Sequence, residues 1–225
     1  MLKQLFDREL QEEMTDFFLN ELSKRGTIKS YKKDCIIEPS EKNICIVVEG
    51  MVTQELFSED GNQISLFMLA PGTIFGEMDY FDGYKTCAVS TVISRDAKIS
   101  ILNSQIIDRE IVKNPKIYNY FMHSITRKYR ILMLKLADDN FNDFKGKLAS
   151  TLIRFAIIEA GGIFNGARIK NVQSLTMFSK YLSCSRSTLS VAMSEFKSQG
   201  IIEMEKNNII IKDKDRLMEL INFVW

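Results

Sequence analysis

The hydrophobic period of this chain changes twice, and these changes constrain the fold more than any single motif. From Thr27 to Leu102 apolar residues come in short runs with a period of two: ICIVVEG, MVTQELF, QISLFML, CAVSTVI and AKISIL. A period of two belongs to strands, whose successive side chains point to opposite faces. Turn signals separate the runs. The clearest lies in FSEDGNQI, where Asp60-Gly61 sits between two strand-like runs and marks a hairpin. Gly50, Gly72 and Gly83 also fall between runs. Several short strands at this spacing predict a compact β-sandwich or β-roll.

Helical periods flank this region. Leu2, Leu5, Phe6, Leu10, Met14, Phe17, Phe18 and Leu22 recur at steps of about three and four, which predicts a helix over roughly 2–25, ended at Gly26. The second change follows Asn114-Pro115, where proline is tolerated because the first helical turn does not use its missing N–H. In the next segment Tyr118, Met122, Ile125, Tyr129, Leu132 and Leu136 alternate steps of four and three. Such a heptad seam packs two helices along a shared line. The seam is short, so packing of this helix on its own domain is the competing reading. Ile117, Phe121, Ile131 and Leu134 lie off the seam and are expected to face the β-roll.

A further helix is predicted over about 142–160, ending at Gly161-Gly162. Beyond it the pattern reads helix, tight turn, helix, hairpin and closing helix. The first helix runs from about Leu175 to Leu182, with Ser174 as N-cap and Leu175, Phe178 and Leu182 on one face. The turn is Ser183-Cys184. The second helix runs from about Ser185 to Ser198, with Leu189, Ala192, Met193 and Phe196 facing inward. A hairpin turning at Asn207-Asn208 completes a winged helix–turn–helix, and DKDRLMELINFVW closes the chain.

In this motif the second helix enters the DNA major groove and reads bases with its N-terminal residues. Arg186 is the candidate base reader, because a guanidinium can donate two parallel hydrogen bonds to guanine O6 and N7. Ser185, Ser187, Thr188 and Lys197 suit phosphate contacts, and Ser174, Thr176 and Ser190 complete the candidate DNA-binding set. An ordinary helical hairpin is the bland alternative, and a solvated arginine is the bland reading of Arg186.

Charge agrees with a polyanionic partner for the C-terminal part. The whole chain carries +1, yet from Asn140 onward 12 Lys and Arg stand against 8 Asp and Glu. No run of about 18 uncharged apolar residues is present, and MLKQLFDREL has acids where a secretory signal has an apolar core. A cytoplasmic protein without a membrane span is expected. Cys35, Cys45, Cys87 and Cys184 are scattered and His123 is the sole histidine, which argues against a metal site. With no nucleophile motif, P-loop or paired metal ligands, an enzyme is not expected.

The chain resembles the CRP/FNR family of bacterial transcription regulators over nearly its whole length. Cys184-Ser185-Arg186 followed by Thr188 is similar to the start of the family's recognition helix. PGTIFGEMDYF, Pro71 to Phe81, is similar to the segment entering its effector pocket, and Asn114-Pro115 opens the helix as in the catabolite-activator branch. The resemblance implies an α+β chain. A cyclic-nucleotide-binding-type β-roll would span 1–113, a dimerisation helix 114–139 and a winged helix–turn–helix 140–225. It further implies a homodimer on a near-palindromic duplex site, with half-sites ~34 Å apart, and RNA polymerase as a further partner of an activator or repressor.

Departures from the family pattern carry information. Ser187 and Val191 stand where many members have glutamate and arginine, and Ser183 replaces a common turn glycine. In cAMP-binding members a glutamate binds the ribose and an Arg-Ser pair the phosphate. Glu77 keeps the first position, but Thr86-Cys87 occupies the second. Lys85 is adjacent, but successive strand residues point to opposite faces, so it is not expected to substitute. Leu132 and Met133 replace polar residues that meet the base. A cyclic nucleotide is therefore not expected. Haem and an iron–sulfur cluster are not expected either, since the β-roll region holds no histidine and no cysteine precedes Cys35. Phe75, Gly76, Glu77, Met78, Thr86, Cys87, Leu132 and Met133 form the candidate pocket. With Tyr80 and Phe81 they suit an apolar or aromatic effector, or plain core packing with no effector at all. A β-roll signalling module without DNA binding is the alternative of another class, and a redox switch at Cys87 or Cys184 a more remote one.

Overall fold

The structure is a computed structural model and describes residues 7–38, 42–84, 87–170, 175–205 and 208–223. Ser174, Lys85, Thr86 and Asn207, and the helix positions Leu2, Leu5 and Phe6, lie outside the described residues. The chain divides into two compact units, Arg8–Tyr129 and one built on Arg130–Trp225.

In the first unit the N-terminal helical pattern becomes one helical stretch of changing pitch. α1 (Arg8–Asp16) passes into a π turn (Phe17–Glu21) and then a 3₁₀ turn (Leu22–Arg25). Met14, Phe18 and Leu22, four residues apart, are all buried. The chain then passes so close to a strand that a Cβ on Gly26 would lie 2.4 Å from Ser100 Oγ, so only glycine fits.

Eight strands follow: β1 (Thr27–Lys32), β2 (Ile36–Ile37), β3 (Ile44–Glu49), β4 (Val52–Phe57), β5 (Gln63–Leu69), β6 (Ile74–Phe75), β7 (Val89–Val92) and β8 (Asp96–Leu102). They form two four-stranded antiparallel sheets, ordered β1-β8-β3-β6 and β2-β7-β4-β5. Asp60-Gly61 lies in the β4–β5 turn, with Phe57 opposite Gln63. Two short helices, α2 (Glu77–Asp82) and α3 (Ser104–Lys113), have no counterpart in the sequence reading. Asn103 caps α3 by accepting from the Ile106 N–H at 3.0 Å.

The 26-residue helix α4 (Lys116–Phe141) is not an independent element. Ile117, Tyr120 and Phe121 are buried in one core with Met14, Phe18, Ile44, Ile46, Ile74 and Leu102. Beyond Tyr129 the helix belongs to the second unit, where Leu134 joins Leu148, Leu152 and Phe178. Ile117 and Phe121 thus face the β-roll as expected, but Leu134 does not. The division between the two compact units falls inside α4, after Tyr129.

The second unit continues with α5 (Phe144–Ala160), β9 (Arg168–Ile169), α6 (Leu175–Tyr181), α7 (Arg186–Ser198), β10 (Ile202–Glu205), β11 (Asn208–Ile211) and α8 (Lys214–Glu219). The strands form one sheet in the order β10-β11-β9. Asp143 caps α5, accepting from the Gly146 N–H at 2.8 Å. Inside this unit the buried Arg154 donates to Asp138, to Ser150 Oγ at 2.8 Å and to Thr151 Oγ1 at 2.8 Å. A buried charge needs such partners, because an unpaired one is costly to desolvate.

Candidate nucleic-acid interface

The turn between α6 and α7 is made by a residue in an unusual conformation. Ser183 adopts φ = +52°, in the left-handed region that glycine enters without strain. Ser185 follows in extended conformation as the N-cap of α7, its Oγ accepting from the Thr188 N–H at 3.0 Å. Its hydroxyl also lies 2.8 Å from those of Ser187 and Thr188. Helix α7 therefore starts at Arg186, one residue later than the sequence pattern suggests.

The inward face of α7 is Leu189, Ala192, Met193 and Phe196, all buried and in one core with Phe178, Leu182, Ile202 and Ile209. The outward face carries Arg186, Ser187, Thr188, Ser190 and Lys197, all exposed. On α6, Thr176 is exposed, and so is Leu175, which the sequence pattern had placed on the buried face. Leu175 is the first residue of α6, so the last turn of the helix does the packing instead. The described candidate DNA-contacting residues thus belong to α6, α7 and the α7 cap. They present a guanidinium, an ammonium and small hydroxyls on a helix held rigidly by its other side. That combination suits phosphate oxygens and base edges.

The β-roll gives a different picture. A cavity of about 90 Å³ lies between β2, β4, β6, α2 and β7. Of the expected pocket residues, Phe75 and Gly76 line it. Gly76 has φ = +87°, and a Cβ there would lie 2.5 Å from the Asn43 carbonyl oxygen. Only glycine can start α2 in this way. The other polar walls are Glu38, Gln54, Asp79 and Ser90. Two carboxylates line this cavity, and no Lys or Arg does so among the described residues. Typical small-molecule pockets hold roughly 300–1,000 Å³, so the cavity is small.

Glu77 lies outside this lining. It is buried, and its carboxylate accepts from Lys128 and, at 3.5 Å, from Ser124 Oγ, both on α4. Lys128 also donates to the Ile74 carbonyl at 2.8 Å. In this structure opposite charge holds Glu77, at the position where the resemblance expects a ligand hydroxyl. Met78 and Cys87 are exposed and are not among the described lining of this cavity. Leu132 and Met133 sit past Tyr129 on α4 in the second unit, the first half-buried and the second exposed. Sequence reasoning passed over Lys128. A signal was present, because Ile117, Phe121, Ser124 and Lys128 continue the roll-facing line of α4 at steps of four, three and four.

Cys184 is half-buried and burial pushes its thiol up, while burial drives the Cys45 thiol to about 12. No described helix is long and apolar enough to cross a membrane. No cluster of three or more potential metal ligands occurs among the described residues.

Residues 28–114 match the model of the cyclic nucleotide-binding domain, and residues 146–220 that of the Crp-like helix-turn-helix domain. The chain belongs to the CRP/FNR family. It is a DNA-binding transcription regulator of that type. The CRP-like cAMP-activated global transcriptional regulator of Mycobacterium tuberculosis is 28% identical over 190 residues, 80% of each chain. The anaerobic regulatory protein of Bacillus subtilis is 23% identical, over 77% of this chain and 78% of its own. Among solved structures, a CooA mutant from Carboxydothermus hydrogenoformans superposes with a TM-score of 0.75 at 22% identity, covering 96% of this chain and 97% of that one. The order of the two matched domains in this CRP/FNR regulator is the one the sequence motifs imply.

Proposed function

We propose that this regulator acts as a homodimer that reads a near-palindromic duplex site with α7, and that it does so without a cyclic nucleotide. The observation that carries the DNA reading is α7 itself: capped by Ser185, anchored by four buried apolar residues, and exposed at Arg186, Ser187, Thr188 and Ser190. Arg186 reads a guanine. The hydroxyls and Lys197 hold the phosphate backbone.

The dimer reading is supported by the seam. Tyr118, Met122, Tyr129 and Leu136 are exposed on α4, and Ile125 and Leu132 are half-buried. A line of large apolar side chains along one helix suits a second copy of that helix. Two-fold symmetry then requires two related half-sites. The independence from cyclic nucleotide is supported by the small volume of the cavity and by the engagement of Glu77 with Lys128. The protein works as a cytoplasmic binding protein rather than an enzyme.

The test is a mobility-shift titration on an operator selected from random duplex DNA by the wild-type protein. Arg186→Ala lowers affinity roughly 5- to 150-fold, the worth of about 1–3 kcal/mol, and relaxes preference at one position of each half-site. Added cAMP leaves the wild-type curve unchanged. Unaltered affinity and base preference in Arg186→Ala would remove α7 from the reading role, and a cAMP-dependent shift would overturn the ligand part.

A further inference from the structure

We propose that Val191 reads the C5-methyl group of a thymine in the major groove, about two base pairs from the guanine read by Arg186. The inference rests on the reading of α7 as the groove-entering helix.

Val191 is 67% exposed, the most exposed large apolar side chain among the described residues of the second unit. A single exposed valine needs no account on an ordinary surface. Its place on α7 is what matters. Successive helix residues turn by about 100°. The buried residues Leu189, Ala192, Met193 and Phe196 therefore define one side, and Ser187, Val191, Ser194 and Ser198 project from the opposite side. Val191 lies near the centre of the face that α7 turns away from its own core. Its companions on that face are all serines, so no apolar neighbour of the stripe packs with it. Helix formation does not favour it either, since a β-branched residue is a weaker helix former than alanine.

The groove offers one apolar group. Each base edge in the major groove presents hydrogen-bond donors and acceptors, and only thymine adds a methyl. An isopropyl side chain gains by burying that methyl. Set against guanine O6 or cytosine N4, it would displace water from a polar atom without replacing the hydrogen bond. Valine at this position therefore selects by attraction to thymine and by penalty against the G·C pair. For a helix lying along the groove, the rise sets the scale of the spacing. Five residues from Arg186 to Val191 span ~7.5 Å, about two steps of ~3.4 Å along the DNA.

Deoxyuridine differs from thymidine at this edge by the methyl alone. In the operator selected by the wild-type protein, each thymine is replaced in turn by deoxyuridine and affinity is measured for wild type and Val191→Ala. Replacement at one thymine per half-site weakens wild-type binding about fourfold, the worth of one buried methyl. Val191→Ala loses that sensitivity while keeping the guanine preference of Arg186. The proposal is overturned if no thymine shows the effect, or if Val191→Ala keeps the same sensitivity. Failure of the wild-type protein to select any duplex sequence overturns the reading of α7 itself, and this proposal with it.

Discussion

At the start of α2, the Glu77 carboxylate is buried and held by Lys128 and Ser124. At the start of α7, the Arg186 guanidinium is exposed among small hydroxyls, with no ion pair or hydrogen-bond partner for its side chain among the described residues. Both positions fall in segments whose motifs match the family's functional sites. Their physical states are opposite. In the first, the fold itself supplies the counter-charge that a ligand would otherwise find. In the second, the fold anchors the helix from behind and leaves its polar groups to water or to a partner. A motif therefore marks a place in the fold, and the satisfaction of its charged groups decides whether that place is open for binding.

The largest effect expected from this contrast lies in the β-roll. Lys128→Met leaves the Glu77 carboxylate buried without its cation. Breaking one side of a buried pair in this way costs about 3–5 kcal/mol. Denaturant unfolding should show a loss of that order, and Lys128→Met with Glu77→Gln should recover most of it, because no uncompensated charge remains. Base preference on the selected operator should not change in either variant. A Lys128→Met protein as stable as wild type would mean that Glu77 is not held as described, and the contrast with Arg186 would fail.

Much of the recognition helix was legible because its causes are local. The Ser185 cap, the four inward apolar residues and the exposed hydroxyls all lie within fourteen residues, and helical periodicity displays them directly. The β-roll strands were legible where they are long enough to show alternation. The two-residue strands β2, β6 and β9 were not, since two residues cannot display a period. The cavity is harder to read from sequence for a related reason. Its walls come from five elements, and the partner of Glu77 lies 51 residues away on another helix. Leu134 shows the same limit: its period marks it as buried, but not in which core.

The second unit also has an inward side, and Lys135 tests it. Its ammonium lies 3.9 Å from the centre of the Tyr181 ring and donates to the Tyr181 carbonyl at 3.3 Å. Burial first, then Arg154 and Lys147, lower its pKa to about 7, against the opposing pull of Asp139 and Asp138. Below that value the folded and unfolded chains both carry the proton. Between about 7 and the ordinary lysine value of 10.5, only the unfolded chain does. Stability should therefore rise with pH across this window, by up to ~1.4 kcal/mol per pH unit. Lys135→Met should lack that rise. Unfolding free energies of both proteins at pH 6 to 9 check it, and parallel curves would show that Lys135 titrates as if in water.

The smallest effect separates the two roles given to Ser185. As a cap it serves the fold; in the proposed complex its hydroxyl would face the DNA backbone. Ser185→Ala removes the cap to the Thr188 N–H and should cost about 1 kcal/mol of stability. Ser185→Asp keeps a cap of equal quality and adds favourable charge at the positive end of the helix, so stability should be retained. On DNA the same carboxylate meets phosphate, and affinity should fall by a similar factor on every sequence, without loss of base preference. A fall confined to particular bases would move Ser185 from the backbone to a base edge. Full affinity in Ser185→Asp would show that the start of α7 does not approach the DNA backbone, and that its exposed hydroxyls serve the cap alone.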